Sequence, residues 1–204
     1  TTKYMHQILD LSLDAYDEIL SEIDTTNLVE RKGIIYIWTN KNIKSRKMEI
    51  KIRNDLGIKQ RLLNKEEVLE LEPNLSPVFD AGVIYDYAYH ARDPKGITKK
   101  LFELFLKLGG KFKKEEVINV EQTRYNQTQV KTNSEKFHFE KIVLACGAFS
   151  KKLTDQLGEK IPLDTERGYH VHYKKMDHLI KRPVIFLDKG FGLTPMNQGL
   201  RLSL

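Results

Sequence analysis

Apolar Met5, Ile8, Leu9, Tyr16, Ile19, Leu20 and Ile23 recur at steps of three and four, with Asp10, Asp14, Asp17 and Glu18 mostly opposite. That period predicts one amphipathic helix over 3–23 whose apolar side needs a partner surface. The β-branched and aromatic run Gly33 to Thr39 reads as a strand buried on at least one face. Residues 44–56 read as a helix stopped by Gly57, and Asn64 followed by Glu67 reads as an N-cap and capping box opening a short helix that Pro73 ends.

From Ala81 the pattern becomes strict alternation. Val83, Tyr85, Tyr87 and Tyr89 share one side and Ile84, Asp86, Ala88 and His90 the other, which predicts a strand with an aromatic face. Asp93-Pro94 is a cap plus first-turn proline, and Ile97, Leu101, Leu104, Phe105 and Leu108 form the buried stripe of the following helix, stopped by Gly109-Gly110. Strands are predicted at 117–121, 129–132 and 137–147, and uninterrupted Ile142-Val143-Leu144-Ala145 suggests a strand covered on both faces of a parallel sheet. A short helix over 150–157 closes at Gly158, and strands follow at 167–173, 184–187, 192–195 and 200–204.

The fold class is therefore mixed α+β and α/β, with two textures. Residues 1–24 form a helix that links to another domain or belongs to it, 25–92 and 159–204 two parts of a mixed sheet, and 93–158 a helix-and-parallel-strand insert between them. There is no internal repeat.

With 204 residues, 40% hydrophobic and 30% charged, composition excludes a disordered or collagen-like chain, and no apolar run reaches the length of a spanning helix. The net charge of +6 permits anionic partners without demanding them. Lone Cys146, in apolar surroundings, is expected to be a buried reduced thiol in a cytoplasmic protein. The chain starts without Met and stops at Leu204 inside a predicted strand, so both ends are expected to be cut.

Common catalytic signatures are absent: no Gly-x-Ser-x-Gly, no phosphate loop ending in Gly-Lys-Ser/Thr, no His-Glu-x-x-His and no paired cysteines. No catalytic residue is assigned. His170 and His172 share a strand face, but no third ligand stands at a metal spacing, so no metal is expected. Lys41, Lys44, Arg46, Lys47, Lys51 and Arg53 read as a solvated helix face, because no stacking aromatics interleave them; no nucleic-acid partner is expected. The small residues after Ile142–Leu144 are open to two readings. A bare backbone at Gly147 lets a flat ligand approach, or the segment is a plain strand-to-helix turn.

Several motifs then stand in order: Asp93-Pro94, Gly109-Gly110, Glu116-Val117-Ile118-Asn119-Val120, Val143-Leu144-Ala145-Cys146-Gly147-Ala148-Phe149-Ser150, Arg167-Gly168-Tyr169-His170-Val171, and Thr194-Pro195 through Leu202. Over about residues 25–204 this set resembles the FAD-dependent amine and D-amino-acid oxidoreductases related to D-amino acid dehydrogenase and glycine oxidase. Family members open with a Gly-x-Gly-x-x-Gly turn, and none of the twelve glycines here makes that spacing.

The resemblance implies an internal fragment of a two-domain flavoprotein: a mixed-sheet substrate domain with an inserted part of a Rossmann-like FAD domain. It implies FAD, with Val117 offering its backbone to adenine and Ala145, Cys146 and Gly147 passing beside the cofactor. Arg167, Tyr169, His170 and Arg201 are the substrate-side candidates. Other readings stay open for three of them: an interdomain salt bridge for Arg167, a core ring for Tyr169, a solvated strand position for Arg201. Tyr169 and His170 point to opposite faces, so at most one should reach a given cavity.

The implied reaction is hydride transfer from the Cα of an amino acid to flavin, giving an imine and then a keto acid and ammonia. Quinone, oxygen or a protein would be the acceptor, and the full-length protein would lie in the cytoplasm or peripherally at the inner face of the plasma membrane. The rival reading is a flavin-free module that binds a small acid or another protein through the tyrosine face.

Overall fold

The computed structural model describes residues 2–40, 43–123 and 127–204, so Thr1 and Lys41 of the sequence reading lie outside the described residues. The chain divides into two units, residues 1–109 with 168–204, and residues 110–167. The insert thus runs 110–167 where the sequence reading placed 93–158, and the helix opened by Asp93-Pro94 belongs to the first unit.

The first unit contains α1 (Thr2–Asp10), α2 (Ser12–Ser21), β1 (Val29–Glu30), β2 (Ile34–Trp38), α3 (Ile43–Asp55), β3 (Arg61–Asn64), α4 (Lys65–Leu71), β4 (Ala81–Tyr85), β5 (His90–Ala91) and α5 (Pro94–Lys107). The second contributes β6 (Val117–Gln122), β7 (Thr128–Thr132), β8 (Lys136–Phe139) and α6 (Ser150–Gln156), after which β9 (His170–Tyr173), β10 (Val184–Phe186), β11 (Phe191–Met196) and β12 (Gly199–Ser203) return to the first. None of the described helices is long and apolar enough to cross a membrane.

Local signals set many boundaries. Asn64 accepts from the Glu67 amide at 2.8 Å while the Glu67 carboxylate accepts from the Asn64 amide at 2.7 Å, the reciprocal capping box that starts α4. Asp93 accepts from the Gly96 amide at 2.9 Å, and Pro94 opens α5. The predicted first helix is broken at Leu11, where the Ser12 hydroxyl donates to the Leu9 carbonyl at 2.6 Å.

β3, β4, β2, β10, β11, β12 and β9 form a seven-stranded sheet in that order, antiparallel except for the parallel β2–β10 pair. Residues 34–85 and 170–203 therefore share one sheet across the insert. One sheet face buries Ile35, Ile37, Ile84, Val184 and Phe186 with Leu63, Val68 of α4 and Phe79. Beneath it, fully buried Glu72 accepts from the Lys181 amide at 2.8 Å and from Arg182 Nε at 3.0 Å, which ties the end of α4 to the segment entering β10.

Three expectations are corrected. The tyrosine alternation ends at Tyr85: the chain turns, with the Ala88 amide donating to the Tyr85 carbonyl at 3.1 Å and the Gly33 amide to the Ala88 carbonyl at 2.9 Å. Tyr85 and Tyr87 meet edge to face, 6.3 Å between centroids, across that turn rather than along a strand. The α5 stripe is only half covered, and Phe105 and Leu108 are exposed. Finally, residues 142–145 form no strand: no neighbouring strand pairs with them among the described residues, and Val143 is 89% exposed. Apolar composition favours a buried strand only where a ladder partner exists.

His90, buried in β5, approaches the Pro195 carbonyl at 3.1 Å through Nε2, so Nε2 carries the proton and donates, while buried Nδ1 has no partner. Burial holds the imidazole below its ordinary value of 6.5, outweighing the Pro195 bond and Glu30; Arg92 and Lys32 push the same way as burial. Because the unfolded chain takes the proton more readily, the His90 contribution is complete above that ordinary value and is lost as pH falls below it. The thermal midpoint is expected to drop between pH 7.5 and 5.5, and to drop less in His90→Gln, which keeps a donor for Pro195. Equal drops in both proteins would remove this assignment.

Candidate functional site

In the second unit, β6, β7 and β8 form an antiparallel meander, and α6 lies against β6. Gln156 fixes that contact: its carbonyl oxygen accepts from the Val120 amide at 2.9 Å and its amide donates to the Ile118 carbonyl at 3.3 Å. Both bonds fall beside the register shift that separates Val117 from Asn119. Val117, at the start of β6, is 36% exposed.

The segment before α6 is open. Gly147 has φ +57°, and apart from its chain neighbours nothing lies within 4 Å of where a Cβ would stand. The Cys146 amide donates to the Ser150 hydroxyl at 3.1 Å and the Phe149 amide to the Cys146 carbonyl at 3.2 Å, which folds the corner into one tight turn. Cys146 is exposed, against the expectation of a buried thiol, because the strand meant to enclose it is not formed. Ala145, Cys146 and Gly147 are exposed, and Gly147 has no side chain to keep a planar group off its backbone. A left-handed backbone at 147 also explains the glycine independently of any ligand.

In the first unit, strand registers decide which side chains share the sheet face opposite the core. Tyr36 stands beside Ile185, Ile185 beside Gly192, Gly192 beside Ser203 and Ser203 beside His170; Thr194 faces Arg201, and Arg201 faces His172. Arg201 and His172 are thus cross-strand neighbours. Both are half-buried, and the buried atoms Arg201 Nε and His172 Nδ1 have no hydrogen-bond partner. Buried polar atoms are ordinarily paired, so this pair marks a place where a polar ligand would be satisfied. Gly192 leaves the neighbouring floor without a side chain.

The remaining sequence candidates are arranged differently. His170 lies on this face, exposed, its ring edge to face with His172 at 5.2 Å between centroids. Tyr169 is 66% exposed and is not a core ring; its carbonyl accepts from the Leu204 amide at 3.0 Å. Arg167 closes the second unit and is exposed. Arg201 is not a fully solvated strand position, since its Nε is buried. Among the described residues no group of three or more His, Cys, Asp or Glu could hold a metal ion.

Gly192 and Thr194 lie in a predicted strand and a motif without being site candidates from sequence, and His172 stands out there only as a possible metal ligand. The alternation of residues 191–196 was the available signal, but it does not say which side chains of β11 meet those of β12.

The chain resembles D-amino-acid oxidase of Bradyrhizobium diazoefficiens, 27% identical over 197 residues, 95% of this chain and 47% of that protein. The crystal structure of glycine oxidase from Geobacillus kaustophilus superposes with a TM-score of 0.74 at 19% identity over 95% of this chain and 52% of that one. That of L-proline dehydrogenase from P. horikoshii gives 0.79 at 20% identity over 96% and 54%. The chain therefore spans about half the length of the proteins it matches. Its fold is theirs, and since residues 2–203 match the sequence pattern of the FAD dependent oxidoreductases (DAO), the chain belongs to that family.

Proposed function

We propose that the full-length protein is an amino-acid oxidoreductase acting on D-amino acids, with this sheet face holding the substrate and the Ala145–Gly147 corner the cofactor. The observation that carries the reading is the cross-strand pair of Arg201 and His172, each with a buried nitrogen lacking a partner. FAD, when bound, supplies the acceptor for the hydride that leaves the substrate Cα.

The residues of this chain supply position. The Arg201 guanidinium offers a carboxylate two parallel donors, which fixes both the distance and the plane of the substrate head. His172 beside it can donate a ring N–H to the same carboxylate. Gly192 leaves room for Cα and its substituent above the strand. In the second unit, Val117 offers main-chain groups to the adenine end, and Cys146 and Gly147 admit a ring to the backbone. After oxidation water releases a keto acid and ammonia. The support for D-amino acids is the D-amino-acid oxidase relative together with the Arg-Gly-Tyr-His-Val run at 167–171. A cytoplasmic enzyme, at the inner membrane face where quinone is the acceptor, goes with this reading.

The purified full-length protein is expected to be yellow and to bleach anaerobically with D-alanine, and not with L-alanine. Colourless protein, the outcome favoured by a flavin-free binding module, or colour unchanged by every amino acid, overturns the proposal.

Gly147 offers a second test. A β-branched residue at φ +57° costs about 1–3 kcal/mol and its side chain enters the open corner. Gly147→Val is expected to lose flavin on dialysis, and Gly147→Asn, which tolerates the left-handed backbone, to lose it as well because of bulk. Retention of flavin by both variants would show that the corner does not touch the cofactor.

A further inference from the structure

The first unit holds an open concavity of about 730 Å³ bordered by α1, α2, α3 and the turn after β4. Its walls are apolar and aromatic, with Leu9, Leu13, Tyr16, Ile52, Leu56 and Tyr87 among them. It shares no residue with the Arg201–His172 face.

Two charges at this cavity are incompletely satisfied. Arg53 reaches Glu49 at only 3.6 Å, while Glu49 is held by Arg46 through two contacts of 2.8 and 3.0 Å. Glu49 is thus largely neutralised by Arg46, and Arg53 keeps most of its donors. The carboxylate of Asp10, the last residue of α1, has no side-chain hydrogen bond or ion pair among the described residues, and its charge is felt by Tyr87. It sits at the negative end of the helix dipole, which favours a cation. Arg53, Ile58, Tyr87 and Ala88 also line an adjoining cavity of about 260 Å³, which reaches Tyr36 on the sheet face opposite the core.

Arg53 and Asp10, with the His6 ring as a further polar group of the lining and aromatic walls around them, match a molecule with both charges and an apolar body. A phosphate would leave the apolar walls bare and meet Asp10 and Glu49; a simple fatty acid would leave Asp10 unanswered. We propose that this cavity is an accessory binding site for a zwitterionic α-amino acid with an aromatic or large apolar side chain. Its carboxylate pairs with Arg53, its ammonium with Asp10, and its side chain packs against Tyr16 and Tyr87. Ligand class and position follow from the cavity itself, independently of the oxidoreductase reading.

The test uses α-methylphenylalanine, which has no hydrogen on Cα and so cannot be oxidised, titrated calorimetrically into the full-length flavoprotein. Binding is expected to weaken at least tenfold in Arg53→Met and in Asp10→Asn. Arg201→Leu is expected to leave this binding in place, which separates it from the sheet-face site. Phenethylamine and 3-phenylpropionate, each lacking one charge, are expected to bind at least tenfold more weakly than the amino acid. Thermal midpoints equal to that of the parent protein identify the variants whose losses count, and the two single-charge ligands test the unmutated protein whatever the variants do. Undiminished binding in both charge variants, equal binding of all three ligands, absence of binding, or binding abolished only by Arg201→Leu each overturns the proposal.

Discussion

Arg201→Leu is expected to lower kcat/KM for the amino-acid substrate about 100-fold or more, with most of the loss in KM. Truncating one partner of a buried, hydrogen-bonded charge pair costs about 2–5 kcal/mol, and about 1.4 kcal/mol is a factor of ten. A carboxylate clamp grips ground state and transition state alike, so its removal weakens binding more than it slows the chemistry. Arg201→Lys should recover only part of the loss, since an ammonium is a point charge without the two parallel donors. Steady-state kinetics of the flavin-loaded variants decides the matter, with near-parental kcat/KM in a folded Arg201→Leu protein ruling Arg201 out as the clamp. The argument rests on the placement of Arg201 opposite His172 with its Nε buried and unpaired.

The second large effect is on stability. Glu72 is fully buried and joins the end of α4 to the Lys181 amide and to Arg182, whose side chain is 14% exposed. Burial holds the Glu72 carboxyl above its ordinary range, against the opposing pull of the Lys181 amide and Arg182. Glu72→Ala leaves the guanidinium buried without its partner, which costs about 3–5 kcal/mol. Against a total of about 5–15 kcal/mol for an ordinary protein, that brings the fold close to its limit. Glu72→Gln keeps an acceptor for the Lys181 amide and much of the shape, so its loss should be smaller. Urea denaturation of the three proteins measures both differences, and an Ala variant as stable as the parent would show that this buried link holds nothing together.

These two residues show different degrees of legibility. Glu72 follows a helix that sequence alone places well, through the reciprocal Asn64–Glu67 cap and the stop before Pro73, yet nothing local announces that the carboxylate reaches Arg182 more than a hundred residues later. Arg201 stands out through its motif, while its neighbour His172 stands out in the sequence only through its two-residue spacing from His170. Their partnership depends on the β9–β12 register. Tyr85, Tyr87 and Tyr89 mark the opposite case. Their alternation is consistent with a strand, and a turn held by the Ala88 amide on the Tyr85 carbonyl overrides it.

By itself the sequence determined the caps, the glycine stops, the strand at 34–38, the mixed α and β class and the family-like order of motifs. Each of these is set by a few neighbouring residues and the backbone conformations they allow. Only the tertiary structure decided which strand faces share a surface, that 142–145 stays unpaired with Cys146 exposed, and that Arg53 and Asp10 border one cavity. Those outcomes depend on which distant segment supplies the ladder partner and excludes water, and no local pattern encodes that choice.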